Sequence, residues 1–356
     1  MAYISFQPSD NFSTKGYTGN GGTQALTGVG FQPDFTWIKG KTAGEDHMLF
    51  DSVRGVTKDI HSNVNDQQGT DATSLTAFDS DGFTLGGANY TNQNTNTFVS
   101  WNWKMGTTSG ISGGTITPSS YSINTTSGVG IYAYTGTAVI GTIAHGLSSA
   151  PKMVIVKRLT GDTGDWNSWH HNLGSGLNYI NLNTSSAKAS NASVWDSTEP
   201  SSTLITIGTY GAVNTSGSNY VLYAFSEVKG FSSMGVYTGN GNVDGAFVYT
   251  GFEPELIIAK NRDSGGVAAY GWTMISNTFG MGGATSADPA FNDLTQNLFA
   301  DQSVSVGTGN TVDFLSNGFK WRSTGTGGNQ STAPFIYIAF SKQAIVSSNS
   351  KVGTAR

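Results

Sequence analysis

PDFTWIK at residues 33–39 returns twice along the chain, as PKMVIVK at 151–157 and PELIIAK at 254–260. Each heptapeptide opens on proline and closes on lysine. Proline can begin a strand but cannot sit inside its hydrogen-bonded ladder, so Pro33, Pro151 and Pro254 mark strand starts. By the two-residue period of a strand, Phe35 and Trp37, Met153 and Ile155, and Leu256 and Ile258 share one face. Thr36 and Ile38, Val154 and Val156, and Ile257 and Ala259 line the other. Both faces are largely apolar, which predicts a strand central to its sheet and covered on both sides.

Working outward, Tyr-Thr-Gly precedes each heptapeptide, at residues 17–19, 134–136 and 237–239, with the proline sixteen, seventeen and seventeen residues after the tyrosine. An aromatic or histidine follows each, with a second bulky group three residues on: His47 and Phe50, Trp166 and Trp169, Trp272 and Ile275. Closing strands come next, FVSWNW (98–103), YVLYAF (220–225) and FIYIAF (335–340). In these, Val99/Trp101/Trp103, Val221/Tyr223/Phe225 and Ile336/Ile338/Phe340 make the large-residue face. Asp81-Gly82-Phe83 and Asn317-Gly318-Phe319 are a shared turn of residue types that readily supply the positive φ angles of a tight hairpin. A pattern that recurs at this spacing separates what a fold requires from what one copy does.

The fold class expected is all-β: three consecutive antiparallel β-sandwich domains, jelly-roll-like, related as divergent internal repeats. The divisions are an N-terminal segment 1–12, sandwiches at 13–106, 127–229 and 230–345, and a C-terminal arm 346–356. MGTTSGISGGTITPSS (105–120) places a Gly/Ser/Thr linker at 107–126 between the first two sandwiches. Lys229-Gly230-Phe231 leaves no spacer between the second and third, so these two are expected to pack rigidly.

Composition agrees. Forty-eight glycines against eight prolines in 356 residues indicate many tight turns between short strands. The absence of cysteine removes disulfides and thiolate metal sites, so stability rests on burial and pairing. Eighteen Lys and Arg against 23 Asp and Glu give a net charge of −5, which supplies no attraction to nucleic acid or an anionic membrane. MAYISFQPSDNF lacks the basic-then-apolar layout of a targeting segment, and no apolar run of about 18 residues occurs. The expectation is a soluble chain made in a cytoplasm, with neither direct nucleic-acid contact nor membrane insertion.

Motifs that resemble reactive sites have weaker claims than their structural readings. Gly40-Lys41-Thr42 matches the end of a phosphate loop, but Phe35 stands where its first glycine belongs. Gly110-Ile111-Ser112-Gly113-Gly114 has the spacing of a nucleophile elbow without the required strand-to-helix turn. Asp79-Ser80-Asp81-Gly82 offers alternating carboxylates to calcium, yet its counterpart Leu315-Ser316-Asn317-Gly318 keeps only the turn. Asp51 and Arg54 form a pair suited to ordering a loop. The five histidines have no metal-binding spacing, and no carboxylate pair recurs for glycosidase chemistry. No catalytic residue, cofactor or metal is expected. Trp166, Trp169, His170, Trp195 and Tyr210, in the least regular unit, are the candidate ligand or partner contacts, suited to stacking on sugar rings if exposed.

YTGNGGTQALTGVGFQPDFTWIK, LFDSVRGVTK, AFDSDGFTLG, WNWKMG, HGLSSAPKMVIVKRL, VYTGNGNVDGAFVYTGFEPELIIAK, DFLSNGFKWRSTGT and the terminal TAR resemble a family of tailed-phage virion proteins common in marine phages, tail-fibre-like and carrying a domain of unknown function. The likeness runs from about residue 3 to the C-terminus; one departure is His171, where a single histidine is expected after Trp169. The resemblance implies a non-enzymatic structural protein at the virion surface, a tail appendage or adhesin component aiding host attachment. Capsid decoration and a lectin-type carbohydrate-binding module are the alternatives. Expected partners are other virion proteins, further copies of the chain with a lean toward a trimer, and host-surface glycan.

Overall fold

The computed structural model describes residues 6–266, 270–280 and 294–341. The expected C-terminal arm at 346–356 lies outside the described residues, as do residues 1–5 of the N-terminal segment. The fold is all-β, with helix among the described residues confined to single turns. In the first sandwich the main sheet runs Phe12–Thr18, Thr97–Trp103, Phe35–Gly40, Met48–Asp51 and Ile60–His61, all antiparallel. A three-stranded sheet of Gln24–Thr27, Gly82–Leu85 and Leu75–Asp79 lies against it. The proline-led strand is central, as expected. Its counterparts are central too: Met153–Arg158 sits between Asn219–Phe225 and Asn167–His170, and Pro254–Asn261 between Pro334–Ser341 and Thr273–Ser276. The first strand pairs with the closing strand in all three. The second small sheet has only Gly141–Ala144 and Leu204–Ile207, whereas the third sandwich runs as one eight-stranded sheet ending on Phe247–Tyr249.

The expected linker at 107–126 is instead part of the second sandwich. Ser120–Asn124 is a strand paired with Val129–Thr135, Thr107 bridges Ile123, and Gly114 bridges Ile143. Ile116 and Ile123 are buried. Its glycines and serines gave it the composition of a flexible spacer, but isoleucines set into that background anchor it as a strap.

Four apolar cores form among the described residues, and one is shared. Ile38, Phe50 and Phe98 meet Leu26, Phe83 and Leu85 between the two sheets of the first sandwich, and the second and third have cores of their own. The opposite faces of the main sheets, with Phe35, Trp37, Trp101, Met153, Tyr223, Leu256, Ile258 and Phe340 among them, join in a single central core drawn from all three sandwiches. Phe35 packs on Tyr223 at 4.8 Å, Phe12 on Phe340 at 5.1 Å and Trp101 edge-on to Phe279 at 6.0 Å, each across a boundary between sandwiches. Burying each such side chain contributes about 1.5–3 kcal/mol.

The Tyr-Thr-Gly signature also has a local cause. Tyr17, Tyr134 and Tyr237 donate their hydroxyls to the carbonyls of Thr91, Val213 and Gly328, at 2.6–2.7 Å. The residue after each of those carbonyls is a fully buried asparagine, Asn92, Asn214 or Asn329. Its side chain clamps the turn that follows Tyr-Thr-Gly: Asn92 accepts from Asn20 N, Asn214 from Thr137 N and Asn329 from Asn240 N. The chain passes so close that a Cβ on Gly19, Gly136 or Gly239 would collide with backbone around Asn92, Asn214 or Asn329 respectively. Gly136→Ala is therefore expected to lower stability by about 1–3 kcal/mol. Gly22→Ala, whose Cβ meets only Asn20 Oδ1 at 3.8 Å, should stay within about 0.5 kcal/mol. Guanidinium unfolding of the two variants separates these outcomes.

Candidate functional site

Four of the five candidate contacts are interior. Trp166 and Trp195 are 0 % and 2 % exposed, Trp169 3 % and His170 1 %; only Tyr210, at 38 %, reaches solvent, where it lies 6.5 Å from the Tyr179 ring. The aromatic platform expected from the sequence is therefore not formed by these residues. Trp169 and Trp195 fill the second sandwich's own core, with no hydrogen-bond partner for either indole nitrogen. Trp166 belongs to the central core, and its indole donates to His61 O (2.9 Å) and Val64 O (3.1 Å) of the first sandwich. His170 faces the third, with Nε2 3.1 Å from Tyr337 O.

Trp166 belongs to a set. Trp272, its counterpart in the third sandwich, donates to Asn181 O of the second at 2.9 Å. His47, the counterpart in the first, directs Nε2 to Phe299 O of the third at 3.0 Å. Each ring thus reaches the preceding sandwich in a closed cycle, the first reaching back to the third. The three lysines that end the heptapeptides follow the same cycle. Lys39 Nζ donates to Glu45 O (2.5 Å) and across to Ser303 O (3.0 Å). Lys157 donates to Gly164 O (2.8 Å) and across to Asn65 O (3.0 Å). Lys260 donates to Asn261 O (2.8 Å) and across to Ser185 O (3.2 Å). All three lysines are fully buried.

The acceptors are equivalent as well. His61, Asn181 and Phe299 take the ring donors, and Asn65, Ser185 and Ser303, four residues further on, take the lysines. Between them Asn63, Asn183 and Asp301 each accept the backbone N–H of the ring residue of their own sandwich. Sequence reasoning missed these three because the acceptors follow His47, Trp166 and Trp272 at unequal distances. A further tie joins the first two sandwiches: Tyr223 donates to Asp51 Oδ2 at 2.7 Å, and Arg54 Nε lies 2.6 Å from the same oxygen in a buried ion pair. Asp51 and Arg54 thus order an interface as well as a loop.

The remaining motifs resolve structurally. Asp81 accepts Gly28 N and Gly30 N, and Asp79 accepts Thr84 Oγ1, so both carboxylates serve the hairpin. No helix follows Gly40-Lys41-Thr42; the next element is Met48–Asp51. Among the described residues no group of three or more His, Asp or Glu side chains is placed to hold a metal. No helix among them is long and apolar enough to cross a membrane. A cavity of about 30 Å³ lies in the central core, lined by Phe35, Trp37, Met153, Tyr223 and Ile338 among others. At that size and with apolar walls it is a packing defect rather than a ligand site.

A family model described as a domain of unknown function, DUF7483, matches residues 7–344. The chain belongs to the DUF7483 family. No curated protein and no solved structure matches it. The DUF7483 match spans all three sandwiches.

Burial governs the electrostatics of the DUF7483 interfaces. It pushes Lys39, Lys157 and Lys260 down to about 8, with Asp46, Asp165 and Asp301 respectively pulling the other way. It also lowers His47, His145 and His171, and His170 to about 3. The histidines are held neutral by geometry: His47, His145 and His170 each direct Nε2 to a carbonyl while Nδ1 accepts, from Trp37 Nε1, Leu147 N and Asn172 N. Protonating Nδ1 removes an acceptor.

The sign of the pH dependence follows. Between the folded and unfolded pKa of each lowered base, the unfolded chain binds more protons, so stability rises with pH. The histidines, at 6.5 when unfolded, make the chain less stable at pH 5 than at pH 7. The lysines, at 10.5 when unfolded, give a second rise from about pH 8. The denaturation midpoint is expected to climb from pH 5 to 7 and again from pH 8 to 9.5. Lys157→Met should remove roughly a third of the second rise, since it deletes one of three similar groups. A second limb of unchanged slope in that variant would show that the lysines do not titrate as described.

Proposed function

We propose that the chain is a non-enzymatic structural protein on the surface of a tailed-phage virion, placed in a tail appendage that aids host attachment. The observation that carries this reading is the closed cycle of buried ring and lysine ties around one apolar core. It commits the interior to holding a fixed shape and leaves the chain's outer loops free for contact. Such closure suits a particle component made inside a cell and then exposed outside it, because a block tied around one shared core resists unfolding and proteolysis. We further infer that the three sandwiches are divergent copies of one two-layered, jelly-roll-like unit, supported by the shared strand order and the equivalent donors and acceptors. The partners proposed are other virion proteins. Host glycan stays among them through Tyr210, the one candidate contact at the surface.

Capsid decoration is the second reading, and the cycle itself favours it. One chain with three related sandwiches about a common core fits a threefold position of a shell by itself, in place of the homotrimer toward which the sequence reading leans.

Gold-labelled antibody against the chain, applied to intact particles and viewed by electron microscopy, tests the placement. Label confined to the tail is the expected result. Label spread over the head replaces the appendage with decoration, and particles that contain none of the chain by mass spectrometry end the virion reading.

A further inference from the structure

The outermost strand of the third sandwich, Phe247–Tyr249, is built differently from its counterparts. It ends the strand order and, among the described residues, pairs only with Gly318–Trp321, in the register Phe247 to Lys320, Val248 to Phe319 and Tyr249 to Gly318. Val248 points inward and is buried, while Phe247 and Tyr249 are 46 % and 66 % exposed. Val243, in the loop leading to the strand, is 61 % exposed. Where the first sandwich carries Gln24-Ala25-Leu26-Thr27, with Leu26 inward, the third has aromatic rings on both sides of the inward residue. An edge strand leaves alternate backbone amides and carbonyls free for another strand, and natural edges are blunted by charge, proline or cover. Phe247, Val248 and Tyr249 include neither charge nor proline.

The second sandwich shows what this edge accepts. Its equivalent strand, Gly141–Ala144, is covered by the strap: Gly114 bridges Ile143, and Thr115 N and Ile116 N both donate to Thr142 O at 2.9 Å. Thr142 N donates back to Thr115 Oγ1 at 2.8 Å, and Ile116 enters the sandwich core. The strap comes from the residues that precede its sandwich. The third sandwich has none to draw on, since Phe225 ends one main-sheet strand and Ser232 begins the next.

We propose that Phe247–Tyr249 is a strand-addition site for another polypeptide, which lays down an extended, uncharged segment of small residues with an isolated aliphatic anchor, as the strap does with Ile116. Main-chain hydrogen bonds give such a contact its register, and side-chain pockets give it selectivity. Phe247 and Tyr249 flank the added strand with apolar surface that the first sandwich lacks.

A synthetic peptide with the strap sequence SGISGGTITP (109–118), titrated to millimolar concentration into the isotope-labelled full chain, tests this by amide chemical shifts. Saturable shifts at residues 247–249 and 318–320 are expected. The double variant Phe247→Thr, Tyr249→Thr, which imitates the small residues of the first sandwich's edge and keeps Val248 in the core, should weaken binding at least about tenfold. Absence of saturable shifts overturns the proposal, as does undiminished binding by the double variant. Shifts that appear only after deletion of residues 342–356 also overturn it, because the occupant is then the chain's own tail rather than another polypeptide.

Discussion

A main sheet with apolar groups on both faces needs two layers of cover, and each sandwich supplies only one. The second layer in the first sandwich has three short strands, and in the second sandwich two. What remains bare is the second apolar face: Trp37, Trp101 and Trp103 in the first sandwich, Ile155, Tyr223 and Phe225 in the second, Ile258, Ile338 and Phe340 in the third. Left in water, any one of these faces would be an apolar patch beyond what a soluble domain sustains. Packed together, they cover one another, and the rest of the molecule is arranged around that closure.

The polar ties gain their meaning from this apolar closure. A lysine sealed from solvent is costly unless its ammonium is hydrogen-bonded. Lys39, Lys157 and Lys260 meet that demand only where a loop of the neighbouring sandwich brings a carbonyl within reach. Ring N–H groups from His47, Trp166 and Trp272 do the same with less electrostatic cost. Hydrophobic burial drives the sandwiches together without fixing their mutual angle, whereas these bonds hold only when the alignment is right. Burial thus supplies the strength, and the carbonyl ties supply the geometry.

Much of the fold was legible in the sequence because its strongest constraints are local. A proline at a strand start, a lysine six residues on and a glycine pressed against backbone leave fixed residue types at fixed spacing. Asn92, Asn214 and Asn329 were legible too, each six residues before Phe98, Tyr220 or Phe335, but asparagine in a turn-rich chain reads as an ordinary turn residue. Asn63, Asn183 and Asp301 were not, since the third follows Trp272 at 29 residues where the others follow at 16 and 17. The carbonyls that receive the lysines carry no side-chain signal at all. The reading of Trp166, Trp169, His170 and Trp195 as surface contacts failed for a related reason: an aromatic or histidine has the same appearance in sequence whether it fills a core, as Trp169 and Trp195 do, meets another sandwich, as Trp166 and His170 do, or faces a ligand. Glycines hid the strap, which was legible only through Ile111, Ile116 and Ile123.

The cycle of ties also imposes an order on synthesis. Residues 13–106 leave the ribosome before the other two sandwiches, yet the carbonyls that receive Lys39 and His47, at Ser303 and Phe299, lie 264 and 252 residues further on. Until these arrive, the first sandwich keeps a lysine bonded only to its own Glu45 carbonyl and a tryptophan face without its third-sandwich cover, while the second can already dock on it through Trp166 and Lys157. Assembly from the N-terminus therefore grows as an open arc whose two exposed flanks match each other, and the same flanks match those of any neighbouring nascent chain. Contacts of such long sequence separation form slowly, and partly finished chains with exposed apolar surface are prone to association. Cells producing many copies at once are where the race between closing a chain on itself and joining it to another is set.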